Sequence, residues 1–312
     1  MIYIIANKNS KKGSKKENLE ALLNVLSTTD TQYEIKYTEY AGHAAKIAEE
    51  ITSLPGKKRI IVIGGDGTIN EAINGIKDFE NTEFGYVPFG SGNDLARGLK
   101  IKSKKEERLI NLVTGTNLES MDLGEVICED KTRRYFAVSS GVGLDAFVCK
   151  CADSSKLKRI LNKIGLGSLT YGILTVKSLF TMDTSNAKLV YTNDNETKNT
   201  QELPVKNMIF TAIMNNPYEG GGVPMSPNAK SNDGLLSICC VGNIKKLKTF
   251  FLFPLLLMGK QGKLKGFNLF NSKDLEIILT KPMVIHADGE YMGTFKKAAF
   301  KTHKNKLNLI SE

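Results

Sequence analysis

One segment, residues 60–71, constrains the fold of this chain more than any other. A run of apolar, mostly β-branched residues leads directly into a glycine turn and a helical pattern. Thr68 and Glu71 stand at the spacing of a capping box, so a helix is expected to begin here with its backbone amides exposed. Such a helix start attracts anions, and glycines let a ligand approach the backbone without a Cβ in the way. The glycines of this turn are Gly64, Gly65 and Gly67.

The chain before Asp122 alternates short apolar runs with longer segments of helical periodicity. The predicted strands are residues 2–6, 33–38, 60–64 and 84–87, and the predicted helices are residues 15–26, 42–51, 68–76, 94–99 and 106–113. Strands separated by helices favour a parallel sheet covered on both faces, with ligands bound at the carboxyl ends of the strands. We therefore expect a three-layer α/β domain over residues 1–122.

After Asp122 the pattern changes to β-type runs separated by polar or glycine-rich turns. The expected strands are residues 124–128, 134–139, 188–191, 208–214, 234–241, 275–279 and 294–301, and residues 145–180 and 244–265 are expected to be helical. This pattern is typical of a mainly antiparallel β-sandwich. The second domain is expected to span residues 123–302, with the chain end, residues 303–312, packing back on the first.

Composition limits the partners, the cellular compartment and the membrane topology that are expected for this chain. The formal net charge of +10 over 312 residues favours anionic partners. Five cysteines match no disulfide framework and no zinc spacing, so a reducing cytoplasm is expected. The longest apolar run, residues 250–258, is shorter than the roughly 20 residues that a membrane-spanning helix needs. The sequence leaves the oligomeric state open, and a homodimer is one option.

A second turn, within residues 87–97, repeats the arrangement of strand, Gly-x-Gly turn and helix start at the next strand. Ser91 and Asp94 are again at capping spacing, and two such turns would present their amides to one crevice. The carboxylate of Asp66 would repel phosphates there unless a divalent cation lay between them, so Asp66 is predicted to be linked to Mg²⁺. The alternative is a pair of tight turns whose glycines serve packing.

Residues 64–71, Gly-Gly-Asp-Gly-Thr-Ile-Asn-Glu, and residues 88–94, Pro-Phe-Gly-Ser-Gly-Asn-Asp, resemble the catalytic domain of the diacylglycerol kinase family, which includes sphingosine and ceramide kinases. The chain is most similar to the soluble bacterial lipid kinases of that family. The likeness continues in order along the chain at residues 7–13, 38–44, 121–124, 218–234 and 288–290. It implies a phosphofructokinase-like first domain, a β-rich second domain that takes up the lipid, and an ATP site between them.

The resemblance also implies roles for individual residues. Nucleotide contacts are expected from Asn7, Thr38, Gly64, Gly65, Asp66, Gly67, Thr68, Glu71, Gly90, Ser91, Gly92 and Asn93. Asp66, Asp94 and Asp122 are expected to support a network of water and Mg²⁺ around the phosphates. The implied cofactors are ATP and Mg²⁺, and the implied substrate is diacylglycerol or a related lipid alcohol.

Asp288 and Glu290, in the sequence Asp-Gly-Glu, are the candidate catalytic pair. Phosphoryl transfer needs a base near the attacking hydroxyl as well as neutralised phosphate oxygens. Asp288 is predicted to be the general base, and Glu290 its partner in metal or hydrogen-bond support. The alternative is an exposed hairpin turn, because Asp-Gly is a common turn pair. We interpret the nearby His286 as a structural residue.

Two segments depart from the family pattern: the first nucleotide loop, which has Lys8, Lys11 and Lys12 where a proline and a small residue are usual, and residues 227–234. Asn228 and Asn232 stand where bacterial members commonly carry acidic residues that bind a structural Mg²⁺. Two fewer charges weaken a site for a hard cation. Asp233 keeps one carboxylate and is the remaining candidate ligand.

Lysines bracket the apolar run of residues 250–258, and no acidic residue occurs between Gly234 and Lys273. Such a segment is typical of an interfacial anchor, so we expect peripheral contact with an anionic membrane surface on the cytoplasmic side. The alternative is a buried helix with a solvated rim. The lysines are Lys245, Lys246, Lys248, Lys260, Lys263, Lys265 and Lys273.

Two other functions are compatible with parts of the sequence. NAD kinases also use a Gly-Gly-Asp-Gly-Thr loop, but residues 88–94 and 288–290 argue against that activity. The positive charge is compatible with a nucleic-acid-binding protein. However, the basic residues are not interleaved with aromatic ones and no recognition module is visible, so no nucleic-acid partner is expected.

Overall fold

The computed structural model describes residues 1–7, 14–89, 92–100, 105–154, 167–193 and 200–311. Its contacts divide the chain into two compact units. The first unit comprises Met1–Leu123 with Lys304–Glu312, and the second unit comprises Gly124–His303.

The first unit alternates strands and helices. Its elements are β1 (Ile2–Asn7), α1 (Ser14–Ser27), β2 (Tyr33–Thr38), α2 (His43–Thr52), β3 (Lys58–Gly64), α3 (Asp66–Gly75), β4 (Thr82–Pro88), α4 (Asp94–Gly98) and α5 (Lys105–Thr114). The four strands are parallel, in the order β2, β1, β3, β4. Near the chain end, Asn308 and Leu309 pair in parallel with β4. Helix α1 packs on α5, and α2 packs on α3. The α/β class predicted from the sequence is confirmed.

The second unit is built mainly from antiparallel strands. Its elements are β5 (Leu118–Cys128, shared with the first unit), β6 (Arg133–Phe136), β7 (Ser139–Gly143), α6 (Leu144–Ser154), α7 (Gly167–Thr181), β8 (Ser185–Asn193), β9 (Thr200–Met208), β10 (Phe210–Met214), β11 (Leu236–Val241), α8 (Lys246–Leu257), a 3₁₀ turn (Gln261–Lys263), β12 (Phe267–Ala287) and β13 (Glu290–Ile310, whose end returns to the first unit). Strand β12 pairs with β11 near its start and with β7 at its end. Strand β7 also pairs with β10, and β10 pairs with β11. Strands β7, β10, β11 and β12 therefore form a closed ring of paired strands, and they contribute to the buried core of this unit.

Several strands of the second unit differ from the sequence expectation, including β7, of which only Ser139 lies within a predicted strand. Strands β12 and β13 each run for 21 residues, whereas short strands were predicted. The Lys-Pro pair at residues 281 and 282 interrupts the apolar pattern of β12, and the strand absorbs it as a register shift between Ile278 and Met283. Strand β9 was not predicted because Pro204 lies within it. Strand β9 pairs with β8 along one side, and such an edge position tolerates proline.

The two segments that were expected to be helical contain helices. Residues 145–180 were expected to be helical, and their described part forms two helices, α6 and α7. Helix α8 runs through Pro254. Within the residues that the structure describes, no helix has the length and apolar character needed to cross a membrane.

Candidate active site

Three of the predicted nucleotide residues, Asn7, Thr38 and Gly64, lie at one edge of the first unit's sheet. Asn7 and Thr38 are register partners at the ends of β1 and β2, and Gly64 and Pro88 are partners at the ends of β3 and β4. Because all four strands are parallel, these carboxyl ends share one edge, which is where open α/β sheets bind ligands. Thr38 is buried there.

The turn after β3 differs from the predicted capping box. Helix α3 begins at Asp66 with Gly65 as its N-cap, so Thr68 lies inside the helix. A Cβ on Gly64 would lie 2.7 Å from the Cβ of Thr68, so glycine at position 64 lets the helix start close to the strand. Glu71 acts elsewhere: its Oε2 accepts a hydrogen bond from the amide of Ala44 at 3.3 Å, in the first turn of α2.

The glycine turns that follow β3 and β4 come together at the side chains of Asp66 and Asp94. The amide of Asp94 donates to Asp66 Oδ2 across 3.3 Å. A Cβ on Gly92 would lie 3.0 Å from Asp66 Oδ2 and 3.6 Å from Asp94 Oδ2. Asn93 has a left-handed backbone with φ of 51°, and the buried Asp94 forms an ion pair with Arg97. The predicted contacts Gly90 and Ser91 lie outside the described residues.

Asp122 and Asp233 have different surroundings. Asp122 is fully buried, and its Oδ1 accepts from the amide of Asn305 at 2.7 Å. Asp233 is exposed, and its Oδ1 accepts from the amide of Leu235 at 3.0 Å. In the described parts of the chain, neither belongs to a group of three acidic, His or Cys side chains close enough to hold one ion directly. A role for Asp122 in a water-mediated network stays a prediction.

Asp288 and Gly289 form the turn between β12 and β13. Both have positive φ, 47° and 85°, as a two-residue hairpin turn of type I′ requires. The flanking Ala287 and Glu290 are register partners, and Glu290 is exposed. The hairpin turn that was the alternative for Asp-Gly-Glu is therefore present.

The carboxylate of Asp288 is held in place by backbone amides. Its Oδ2 accepts from Ala137 at 2.8 Å, and its Oδ1 accepts from Val138 and Ser139, each at 2.9 Å. The amide of Asp288 donates to the Ser139 carbonyl at 2.7 Å. Amide donors favour the ionised form of a carboxylate and fix its direction. The hairpin thus presents an oriented, charged group.

A buried cluster beside this turn was missed by sequence reasoning. His286, 3% exposed, lies next to Asp145 and Glu219. A partial signal for it exists: residues 139–145 contain Gly-x-Gly followed by an acidic residue at a helix start, as the sequence of residues 90–94 does, although here both glycines belong to strand β7. The contacts of Asp288 could not be predicted in this way, because its donors are backbone amides and the side chains of residues 137–139 give no sign of them.

Comparison with known proteins covers nearly the whole chain. The model described as "Diacylglycerol kinase catalytic domain" matches residues 1–126, and the one described as "YegS C-terminal NAD kinase beta sandwich-like domain" matches residues 137–310. A Bacillus subtilis protein named "Putative lipid kinase YtlR" is 34% identical over 82% of this chain and 82% of its own length. A Bacillus subtilis protein named "Diacylglycerol kinase" is 24% identical over 93% of this chain and 89% of its own length.

Solved structures share the fold. One described as "A putative diacylglycerol kinase from Bacillus anthracis str. Sterne" superposes with a TM-score of 0.73 at 22% identity, covering 100% of this chain and 97% of its own. An NAD kinase from Archaeoglobus fulgidus, solved in complex with ATP, gives a TM-score of 0.51 at 11% identity, covering 100% and 94%. At these identities the structural likeness shows the fold alone.

Proposed function

Because the chain belongs to the diacylglycerol kinase family of lipid kinases, we propose that it transfers the γ-phosphate of ATP to the hydroxyl of diacylglycerol or a closely related lipid alcohol. The product would be phosphatidic acid or its analogue. Nucleotide binding is assigned to residues 1–122 with the chain end 303–312, and the lipid to residues 123–302.

The observation that carries the proposal is the approach of Asp66 to Asp94 at the carboxyl edge of the sheet. Two carboxylates beside amide-rich turns suit a phosphate site only if a cation offsets their charge. Carboxylate oxygens are preferred ligands of Mg²⁺, so the residues present fit that ion, held directly or through water with Asp122 in support. When bound, Mg²⁺ would neutralise the phosphate oxygens.

Asp288 serves as the general base in this proposal. The lipid hydroxyl oxygen attacks the γ-phosphorus, its proton passes to the Asp288 carboxylate, and ADP leaves with the electron pair of the broken P–O bond. Three backbone amides fix the direction of that carboxylate before substrate binds, which lowers the cost of reaching the reactive geometry. Glu290 is assigned as the partner of Asp288 in metal or hydrogen-bond support.

A membrane surface is the proposed partner, since diacylglycerol resides in one. Helix α8 exposes Leu247 by 58% and Phe251 by 68%, and Met258, directly after the helix, is 59% exposed. These positions follow the spacing of one helix face, and lysines of the same segment are exposed beside them. An apolar stripe with adjacent cations suits the interface of an anionic bilayer. The location that we propose for the enzyme is the cytoplasmic face of the membrane.

Helix α7 adds a second apolar stripe. Ile173, Val176 and Phe180 are exposed at helical spacing, and the rings of Phe180 and Phe250 lie 6.0 Å apart. The two helices therefore offer neighbouring apolar stripes. Lys246 is engaged within the protein, because its Nζ donates to the Met182 carbonyl. We accordingly assign lipid headgroup contact to Lys245 and Lys248 and not to Lys246.

The test is a phosphoryl-transfer assay with radiolabelled ATP and separate acceptors: diacylglycerol, monoacylglycerol, sphingosine, undecaprenol and NAD. We expect label in diacylglycerol or another lipid and none in NAD. Label in NAD alone would favour the NAD kinase alternative. Label in no acceptor, with Mg²⁺ and vesicles present, would contradict the proposed reaction.

A further inference from the structure

Three ionisable side chains meet in the interior of the second unit, beside the Asp288 turn. They are Asp145 at the start of α6, Glu219 in the segment after β10, and His286 in β12, and one ligand-type atom of each lies within 4.8 Å of the others. His286 Nε2 lies 3.4 Å from Asp145 Oδ2. By hydrogen-bond geometry, neither of these two buried atoms has a partner in the described structure, so the pair is a close contact between an imidazole and a carboxylate.

The space for this contact exists because residue 141 is glycine. A Cβ on Gly141 would lie 1.8 Å from Asp145 Oδ2 and 2.6 Å from His286 Nε2. Both distances are far inside van der Waals contact, so any side chain at position 141 would displace the pair. Gly141 and His286 are also register partners between β7 and β12.

The hydrogen bond at the other ring nitrogen of His286 determines which nitrogen of the neutral ring carries the proton. His286 Nδ1 accepts a hydrogen bond from the amide of Gly289 at 3.1 Å. A neutral imidazole carries one proton, so an accepting Nδ1 places it on Nε2. Nε2 is the ring nitrogen that lies 3.4 Å from Asp145 Oδ2.

A metal ion is the obvious alternative occupant of two carboxylates and an imidazole. A metal on Nε2 needs the lone pair of that nitrogen, which moves the ring proton to Nδ1. Nδ1 would then no longer accept the Gly289 amide. Metal binding and retention of the Gly289 hydrogen bond therefore exclude each other, and the observed contact favours a proton.

We propose that Asp145 and His286 are positioning residues for the turn that carries Asp288: the Asp145 carboxylate keeps the ring proton on Nε2, and Nδ1 in turn holds the Gly289 amide. The turn is thus fixed on both sides, with the Asp288 carboxylate on the amides of residues 137–139 and the Gly289 amide on the ring. The inference rests on the proposed function, because it assigns the turn the role of the base.

Protonation of the ring would release the turn. Burial lowers the pKa of His286, but Asp145, with Glu219 and Asp288, more than offsets this and raises the pKa above its ordinary 6.5. The Gly289 amide opposes protonation, since an imidazolium has no acceptor at Nδ1. We therefore expect the kcat of the wild type to fall as the pH is lowered, with an apparent pKa at or above the ordinary pKa of histidine.

Kinetics of matched variants test the role. His286→Ala removes the acceptor, and kcat should fall about 100-fold, as expected for a misplaced catalytic group, with KM for ATP unchanged. His286→Asn keeps an acceptor near Nδ1 and should retain most of kcat, with an acid limb moved to lower pH. His303→Ala is the control, because His303 forms the other imidazole–carboxylate pair of this unit, with Glu125 at 2.8 Å. Equal losses in the Asn and Ala variants, or a wild-type acid limb retained in His286→Asn, would overturn the role.

A measurement independent of activity separates this inference from the proposed function. Nitrogen-15 NMR of labelled histidine reads the tautomer of the three rings in the chain, His43, His286 and His303, which single variants assign. We expect His286 to carry its proton on Nε2 and to be unaffected by added Zn²⁺. A proton on Nδ1, or His286 signals that shift on Zn²⁺ addition, would overturn the inference even in an active enzyme. The expected tautomer in a protein that phosphorylates no lipid would uphold the turn contact and contradict the proposed function alone.

Discussion

The backbone amide of Asp94 donates a hydrogen bond to the carboxylate of Asp66 across 3.3 Å, which joins the turns that follow β3 and β4. This contact brings two acidic side chains to one place at the edge of the first unit's sheet. A lone carboxylate in that position would oppose phosphate binding, whereas two carboxylates with a divalent cation would support it.

We predict that Asp66→Asn weakens the Mg²⁺ dependence of the reaction. Loss of one carboxylate that holds the ion or its water should raise the Mg²⁺ concentration for half-maximal activity about 10- to 100-fold. A Mg²⁺ titration at saturating ATP measures this. Asp78→Asn is the control, because Asp78 accepts from Asn81 within a local turn. An unchanged Mg²⁺ requirement in Asp66→Asn would remove Asp66 from the site.

We predict that Asp288→Asn abolishes most turnover and leaves ATP binding intact. An amide cannot take the acceptor's proton, so kcat should fall about 10²- to 10⁴-fold. Single-turnover kinetics and ATP titration separate the two effects. Asp130→Asn is the matched control, since Asp130 lies in the turn between β5 and β6 and accepts from Thr132. Near-normal kcat in Asp288→Asn would refute the assignment of the base.

We predict that Gly124→Ala destabilises the protein. A Cβ at this position in β5 would lie 2.1 Å from the ring of the fully buried Phe136. Such overpacking typically costs about 1–3 kcal/mol of unfolding free energy. Denaturant unfolding measures it, with Gly172→Ala in α7 as control, because nothing lies within 4 Å of a Cβ there. Alanine within a helix should be neutral or stabilising at position 172.

We predict that the double variant Lys245→Ala/Lys248→Ala binds anionic vesicles more weakly. Each cation near the surface contributes about 1 kcal/mol, so the partition coefficient should fall about 30-fold. Vesicle sedimentation at physiological salt measures it. The control is Lys188→Ala/Lys297→Ala, in which each lysine already pairs with a glutamate. Equal partition coefficients for the two double variants would contradict the assignment of Lys245 and Lys248 to a membrane-binding surface.

Local patterns in the sequence predicted the parallel α/β unit well. Strand β3 and the following turn are specified by adjacent residues, namely an apolar run and glycines. The capping box was wrong for a reason that local reading cannot detect. Glu71 has the correct spacing to Thr68, but its carboxylate accepts from Ala44 on a neighbouring helix, and only the packing of α2 on α3 brings them together.

The hydrogen-bond partners of Asp288 could not be predicted from the sequence. Its donors are backbone amides about 150 positions away along the chain, and an amide has no residue-type signature. The Asp-Gly pair predicted a turn, and the turn is present, but its buried contacts depend on pairing between β7 and β12. The same pairing places Asp145 beside His286, so this cluster required the fold.

We propose that this lipid kinase moves the terminal phosphate of ATP to a lipid hydroxyl with Asp288 as the base. The most direct measurement compares ATP labelled at the γ- and α-phosphates, with Mg²⁺ and diacylglycerol vesicles, in the wild type and Asp288→Asn. We predict lipid-soluble label from γ-labelled ATP in the wild type, none from α-labelled ATP, and almost none in the variant. Lipid label from the α-position, or equal transfer by both proteins, would contradict the account.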